Sequence, residues 1–215
     1  MKNRKDAEKR AKQIDKRLAK VYPHAETALD YKTPLQLLIA TILAAQCTDK
    51  RVNELTPGLF KKYKSAKDFA NADREDLEED IRPTGFFRQK AKSIMNCCKK
   101  IVEEHDGNVP RTREEMVKLP GVGRKTANVV LGDCFDVPGI IVDTHMKRVS
   151  QRLGLTKNSD PTKIEFDLMD ILPEDRWTPF SHEITLHGRN TCVARKPRCP
   201  DCEVENLCPY ENKTK

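Results

Sequence analysis

Four cysteines crowd the C-terminal segment as Cys192-x6-Cys199-x2-Cys202-x5-Cys208, interleaved with Pro197, Pro200 and Pro209. Thiolates brought together in one short, turn-rich segment suit a tetrahedral metal site or a cubane cluster, because the backbone can wrap around the metal. A zinc site made of four cysteines usually pairs its ligands as two Cys-x2-Cys knuckles, and here only Cys199 and Cys202 form such a pair. The asymmetry favours an iron–sulfur centre. Arg195, Lys196 and Arg198 lie between the first two cysteines, so a bound metal would brace a basic loop able to contact phosphates.

The second constellation is Leu119-Pro-Gly-Val-Gly-Arg-Lys-Thr-Ala127, which reads as helix, glycine hairpin, helix. Gly121 and Gly123 let the backbone approach a ligand, and the N–H groups opening the second helix point outward at the positive end of its dipole. Alone, Gly-x-Gly is a tight turn; with Val122 inside it and Arg124 and Lys125 following, it becomes a candidate phosphate seat. Lys125 stands in the first helical turn, where the dipole disfavours ammonium and favours the free amine a nucleophile needs. The dipole contributes about 0.3–1 kcal/mol, whereas lowering a lysine from about 10.4 to about 8 takes roughly 3 kcal/mol. A partly desolvated pocket and Arg124 would have to supply the difference; otherwise Lys125 is a phosphate contact. Downstream, Gly139-Ile-Ile-Val-Asp-Thr-His145 runs into a helix carrying Met146, Val149 and Leu153, so Asp143 reads as its N-cap. A chemical role requires Asp143 to face the same cleft as Lys125, which spacing does not decide.

The elements that must position these residues are helical. Ala7, Ala11, Ile14, Leu18 and Val21 recur at steps of three and four, as do Leu35, Leu38, Ile39, Ile42 and Leu43, then Ala91, Ile94, Met95 and Cys98. No alternating run argues for a sheet, so the fold class is all-α. Breaks at Pro23, Pro34, Thr56-Pro57-Gly58, Pro83, Pro120 to Gly123, Pro138-Gly139, Gly154, Pro173 and Pro179 leave about ten short helices. Thr112 and Glu115 form a capping-box pattern that opens a helix running to Leu119, and the next helix begins at about Arg124.

Composition narrows the function classes. The chain of 215 residues is long enough to bury a sizeable core, and Lys and Arg exceed Asp and Glu by 7. The excess is local: residues 1–20 hold nine basic and three acidic side chains, either a solvated helix face or a surface for polyanions. No apolar stretch is long enough to span a membrane, and the charged N-terminus MKNRKDAEKR has no apolar run of a secretory signal behind it. The expectation is an intracellular protein with reduced thiols, in which Cys47, Cys97, Cys98 and Cys134 are small buried residues.

Together these segments resemble the endonuclease III family. The resemblance spans nearly the whole chain: Ile42-Leu-Ala-Ala-Gln-Cys-Thr-Asp49, Thr84-Gly-Phe-Phe-Arg-Gln-Lys-Ala91, the hairpin from Leu119 to Val130, Val142-Asp-Thr-His145, Leu186-His-Gly-Arg189 and the cysteine loop. It implies an all-α, two-domain helix–hairpin–helix glycosylase with a DNA cleft between a six-helix barrel (27–137, hairpin at about 112–131) and a cluster domain (1–26 plus 138–215). It further implies a [4Fe–4S] cluster on Cys192, Cys199, Cys202 and Cys208. The partner would be double-stranded DNA with oxidised pyrimidines or abasic sites, met by a monomer in the cytoplasm or nucleoid.

By the same carry-over Lys125 is the nucleophile and Asp143 its neighbouring carboxylate, while Gly121, Val122, Gly123, Arg124, His145 and Lys196 face DNA. Gln46 and Phe86 fall where the family fills the space left by an extruded nucleotide. The family commonly has Leu where Phe86 stands. Locally, Gln46 could instead cap a helix and Phe86, beside Phe87, could be core. Two alternatives are a monofunctional adenine-mismatch glycosylase, whose relatives lack a lysine at the Lys125 position, and a DNA-binding module without catalysis.

Overall fold

The computed structural model describes residues 2–214, with side chains from residue 5 onward. Among the described residues there are eleven α-helices, three 3₁₀ turns and no strand. The helices are α1 (Lys2–Val21), α2 (Pro34–Leu43), α3 (Asp49–Lys62), α4 (Ala66–Ala70), α5 (Arg74–Ile81), α6 (Phe87–Glu104), α7 (Arg113–Met116), α8 (Arg124–Phe135), α9 (Thr144–Arg152), α10 (Pro161–Met169) and α11 (Trp177–Asn190). The chain divides into two compact units, one of residues 27–137 and one of residues 1–26 with 138–215.

In the unit of residues 27–137, α2 is the central element. Every residue from Leu37 to Leu43 is buried, and α3, α6 and α8 pack around it. A helix apolar on all sides has to be enclosed, and the run Leu-Leu-Ile-Ala-Thr-Ile-Leu meets that condition. α6 lies against α4 and α5, burying Ala91, Ile94, Cys97, Cys98 and Ile101 on one face. Side chains cap α2 (Thr33), α3 (Thr48), α4 (Ser65), α5 (Asp73) and α7 (Thr112). No side chain caps α6 or α8, which open at Phe86 and Gly123.

In the other unit α1, α9 and α11 enclose a core of Ala11, Ile14, Leu18, Met146, Val149, Phe180 and Ile184, to which α10 adds Ile164 and Leu168. The cysteine segment belongs to this core: Val204 is fully buried, and Cys192, Cys202, Leu207 and Cys208 pack against it.

Three expectations are corrected. Pro57 does not end a helix but lies inside α3, because buried Val52, Thr56 and Leu59 run past it on one face and that packing outweighs the lost backbone bond. The helix opened by Thr112 stops at Met116 rather than Leu119, its last carbonyls taken up by the turn through Val117 and Lys118. Cys97 and Cys98 are buried, but Cys47 and Cys134 are only half-buried, each lying at or just past a helix end.

Candidate active site

In the first unit the hairpin is set by Gly121, whose φ of 78° belongs to the left-handed region. A Cβ there would stand 2.7 Å from Cβ of Ser93, so the turn presses on α6. Gly123 has ordinary φ, and a Cβ on it would meet nothing within 4 Å. Its lack of a side chain leaves open space in front of α8. Val122 is buried and its N–H donates to the carbonyl of Leu119 at 3.1 Å, so it anchors the hairpin from within. Arg124 and Lys125 then occupy the first turn of α8. Lys125 is exposed, and among the described residues no hydrogen bond or ion pair holds it.

Gln46 and Phe86 lie in two other loops of the same unit. Both are exposed, Phe86 by 65%, and both have left-handed backbones, with φ of 55° and 49°. Phe86 is not core. Its neighbour Phe87 packs instead, with the guanidinium groups of Arg82 and Arg88 at 5.3 and 5.5 Å from its ring.

In the second unit Asp143 is the N-cap of α9: its Oδ1 accepts from the Met146 N–H at 2.6 Å. Its other oxygen, Oδ2, accepts from the Thr185 hydroxyl at 3.4 Å. Thr185 ends a row of hydroxyls on α11. The Gly139 N–H donates to Thr178 at 3.3 Å and the Ile141 N–H donates to Ser181 at 2.9 Å. Alternate residues of an extended segment, 139, 141 and 143, thus meet helix positions 178, 181 and 185. Period two is matched to a helix face. Sequence reading missed this row, whose only signal is the spacing of Thr178, Ser181 and Thr185.

His145, on the first turn of α9, is half-buried with its Nδ1 3.2 Å from Nη2 of Arg148. Gly188 makes room for both: a Cβ on it would come within 2.9 Å of His145 Cβ. A glycine inside a helix costs about 1 kcal/mol relative to alanine, and close passage of α9 and α11 is its reason here.

Cys192, Cys199, Cys202 and Cys208 line one pocket, together with Arg152, His187 and Tyr210. Arg152 holds the loop, donating to Cys192 Sγ at 3.4 Å and to the carbonyls of Val193 and Ala194 at 2.8 and 2.9 Å. Arg148 adds a bond to the Cys192 carbonyl at 3.1 Å. His187 is buried, which pushes its imidazole down to about 4, and its Nε2 is 3.7 Å from Cys202 Sγ. Burial pushes the Cys202 thiol up to about 11, and the other three thiols add to the rise. The four thiols border one shared space, and among the described residues no group of three or more His, Cys, Asp or Glu side chains is placed to hold a metal ion. Lys196, at the tip of the loop, is exposed and left-handed with φ of 50°.

Known proteins supply a frame for these parts. Residues 39–174 match the HhH-GPD superfamily of base excision DNA repair proteins. Endonuclease III of Synechocystis sp. is 57% identical over 93% of this chain and 92% of its own. A solved non-covalent endonuclease III–DNA complex is 42% identical, with a TM-score of 0.90 over 94% of this chain and 95% of that one. A trapped covalent endonuclease III–DNA intermediate is 44% identical, with a TM-score of 0.87 over 93% and 95% of the two chains.

Proposed function

The chain belongs to the HhH-GPD superfamily of base excision DNA repair proteins and, within it, to the endonuclease III family, and on that premise we propose that Lys125 is its nucleophile and Asp143 the carboxylate that assists. It is a bifunctional DNA glycosylase and abasic-site lyase acting in base-excision repair on double-stranded DNA. The observation that carries the reading of Lys125 is its exposure, without an internal partner among the described residues, in the first turn of a helix that no side chain caps. The amine stands beside the uncapped N–H groups at the head of α8, where a phosphate would be seated.

A base inside a duplex is out of reach, so the nucleotide must be extruded at a cost of a few kcal/mol. Gln46 and Phe86, exposed on their loops, enter the vacated stack. Backbone N–H groups around Gly121, Gly123 and Arg124 seat a phosphate at the head of α8, with Val122 fixing the turn. The Lys125 amine forms a bond to C1′ as the bond from C1′ to the oxidised pyrimidine breaks, and the base departs with that electron pair. Asp143 takes the amine proton or stabilises positive charge on the sugar, through the Oδ2 that the cap leaves weakly held. The aminal so formed opens the sugar ring: the C1′–O4′ bond breaks as the C1′–N double bond forms, and O4′ takes a proton; the imine acidifies C2′, loss of its proton expels the 3′ phosphate, and water frees Lys125. His145 and Lys196 are contacts to the DNA backbone. The four cysteines carry a [4Fe–4S] cluster, supported by the cavity they share and by the single Cys-x2-Cys pair.

The test is borohydride trapping on a duplex with one abasic site, which requires an imine and not binding alone. Lys125→Gln is expected to abolish trapping and nicking while DNA affinity stays within a few-fold, since backbone amides and other cations carry phosphate binding. Persistent trapping by the variant overturns the assignment.

A further inference from the structure

One buried cation in residues 27–137 has no part in the chemistry described above. Lys90 lies on the first turns of α6 and its side chain is buried, with 5% of the residue exposed. Its ammonium donates to the carbonyl of Leu43 at 2.7 Å and to the carbonyl of Thr84 at 2.8 Å. Its own N–H donates to the carbonyl of Phe86 at 3.0 Å. Leu43 is the last residue of α2, three before Gln46, and Thr84 is two before Phe86. A single side chain therefore ties together the roots of the two loops that present Gln46 and Phe86.

Burying an ammonium is costly, and the cost has to be matched by what the charge holds. An apolar side chain would fill the same space. Two features explain why an ammonium stands there. The Leu43 carbonyl is at the negative end of α2, where the helix lacks further N–H groups to accept. The Thr84 carbonyl ends a 3₁₀ turn, Arg82–Thr84, and precedes Gly85 and Phe86, both of positive φ. Gln46 and Phe86 are themselves non-glycine residues in left-handed conformation, which persists only where the surroundings enforce it. Lys90 is bonded to both stretches.

We propose that Lys90 is a positioning residue for base extrusion: it fixes the spacing and direction of the Gln46 and Phe86 loops so that both side chains enter the DNA stack as one preformed wedge. The proposal rests on the reading of Gln46 and Phe86 given above. It makes the rate of extrusion, rather than the attack by Lys125, the step that depends on Lys90.

Single-turnover excision of thymine glycol from a duplex, compared with nicking of a single strand carrying one abasic site, separates the two steps. A single strand has no partner strand and no vacated stack to fill. Lys90→Met, which has no donor, and Lys90→Gln, which is uncharged and one bond shorter, are expected to slow duplex excision by about 10-fold to 100-fold, the scale of an ångström-sized misplacement. Single-strand nicking should stay within about twofold and Lys90→Arg, which keeps charge and donors, within a few-fold of the parent. Combined with Phe86→Ala, Lys90→Met should add little further loss, because both act on one wedge. Should Lys90→Met not fold, as its thermal melt would reveal, the milder Lys90→Gln carries the same comparison. Equal losses on both substrates, or full additivity with Phe86→Ala, overturn the proposal and leave Lys90 a packing residue. If Phe86→Ala and Gln46→Ala themselves leave duplex excision unchanged, it is the wedge reading that fails.

Discussion

At the scale of single residues, backbone conformation singles out positions that side-chain type does not. Among the described residues five non-glycines have positive φ: Gln46, Phe86, Asp106, Asp136 and Lys196. The two aspartates are of the type that tolerates this region, and Asp136 closes α8. Nothing local favours Gln, Phe or Lys there, at a cost of about 1–3 kcal/mol each. Those three are among the residues read as reaching into or onto DNA. Asp143 has two tasks that separate by oxygen, the cap through Oδ1 and the weaker contact with Thr185 through Oδ2. Asp143→Asn keeps an acceptor for the Met146 N–H, and asparagine caps nearly as well as aspartate. The variant is expected to melt close to the parent and to lose base excision by about 100-fold or more, the range of a positioned acid–base group. A near-normal rate in single-turnover assays would make Asp143 a cap and nothing else.

At the scale of elements, helices held by local rules were legible and ties across distance were not. The N-cap at Asp143, the hairpin between Met116 and Arg124 and the buried run of α2 follow from residue type and period. The row Thr178, Ser181 and Thr185 and the bond from Lys90 to Leu43 join segments some 40 residues apart, which no window of sequence contains. Arg176 is of this second kind. It precedes α11, donating through Nε to Asp15 of α1 at 2.9 Å and through Nη2 to Glu183 of α11 at 2.5 Å. Burial pushes the carboxyls of Asp15 and Glu183 above their ordinary range in spite of the guanidinium. Arg176→Met would leave the buried Glu183 and the half-buried Asp15 without their cation and is expected to cost about 3 kcal/mol near neutral pH. A carboxyl raised in the folded state binds its proton more tightly there than in the unfolded chain. Its contribution to stability is therefore full below the unfolded value and is lost as pH rises through the folded one. The deficit of Arg176→Met should accordingly shrink between about pH 7 and about pH 5 in urea unfolding. A deficit equal at both would mean that the acids are not what the arginine neutralises.

At the scale of the whole molecule, the two units carry different parts of the work and depend on different things for stability. Residues 27–137 hold Lys125, Gln46 and Phe86 and close their core around the apolar α2. Residues 1–26 and 138–215 hold Asp143, and their core runs into the cysteine segment through Val204, Leu207 and the thiols. Arg17 on α1 strengthens that join, donating to the Glu203 carbonyl at 2.9 Å and to the Asn206 side chain at 2.6 Å. The cysteine pattern was legible because its ligands are close in sequence; its incorporation into the core with α1, at the opposite end of the chain, was not. Metal bound by a segment that completes a core stabilises that core, as binding free energy becomes folding free energy. Anaerobically purified protein is expected to be yellow-brown, with about four irons and four sulfides per chain. Cys202→Ser should lower the iron content and raise hydrogen exchange in α1, α9 and α11, while α2 and α6 keep their protection. Zinc in place of iron would overturn the cluster assignment. Loss of protection spread evenly over both units would show that the cysteine segment supports the molecule as a whole rather than the unit whose core it completes.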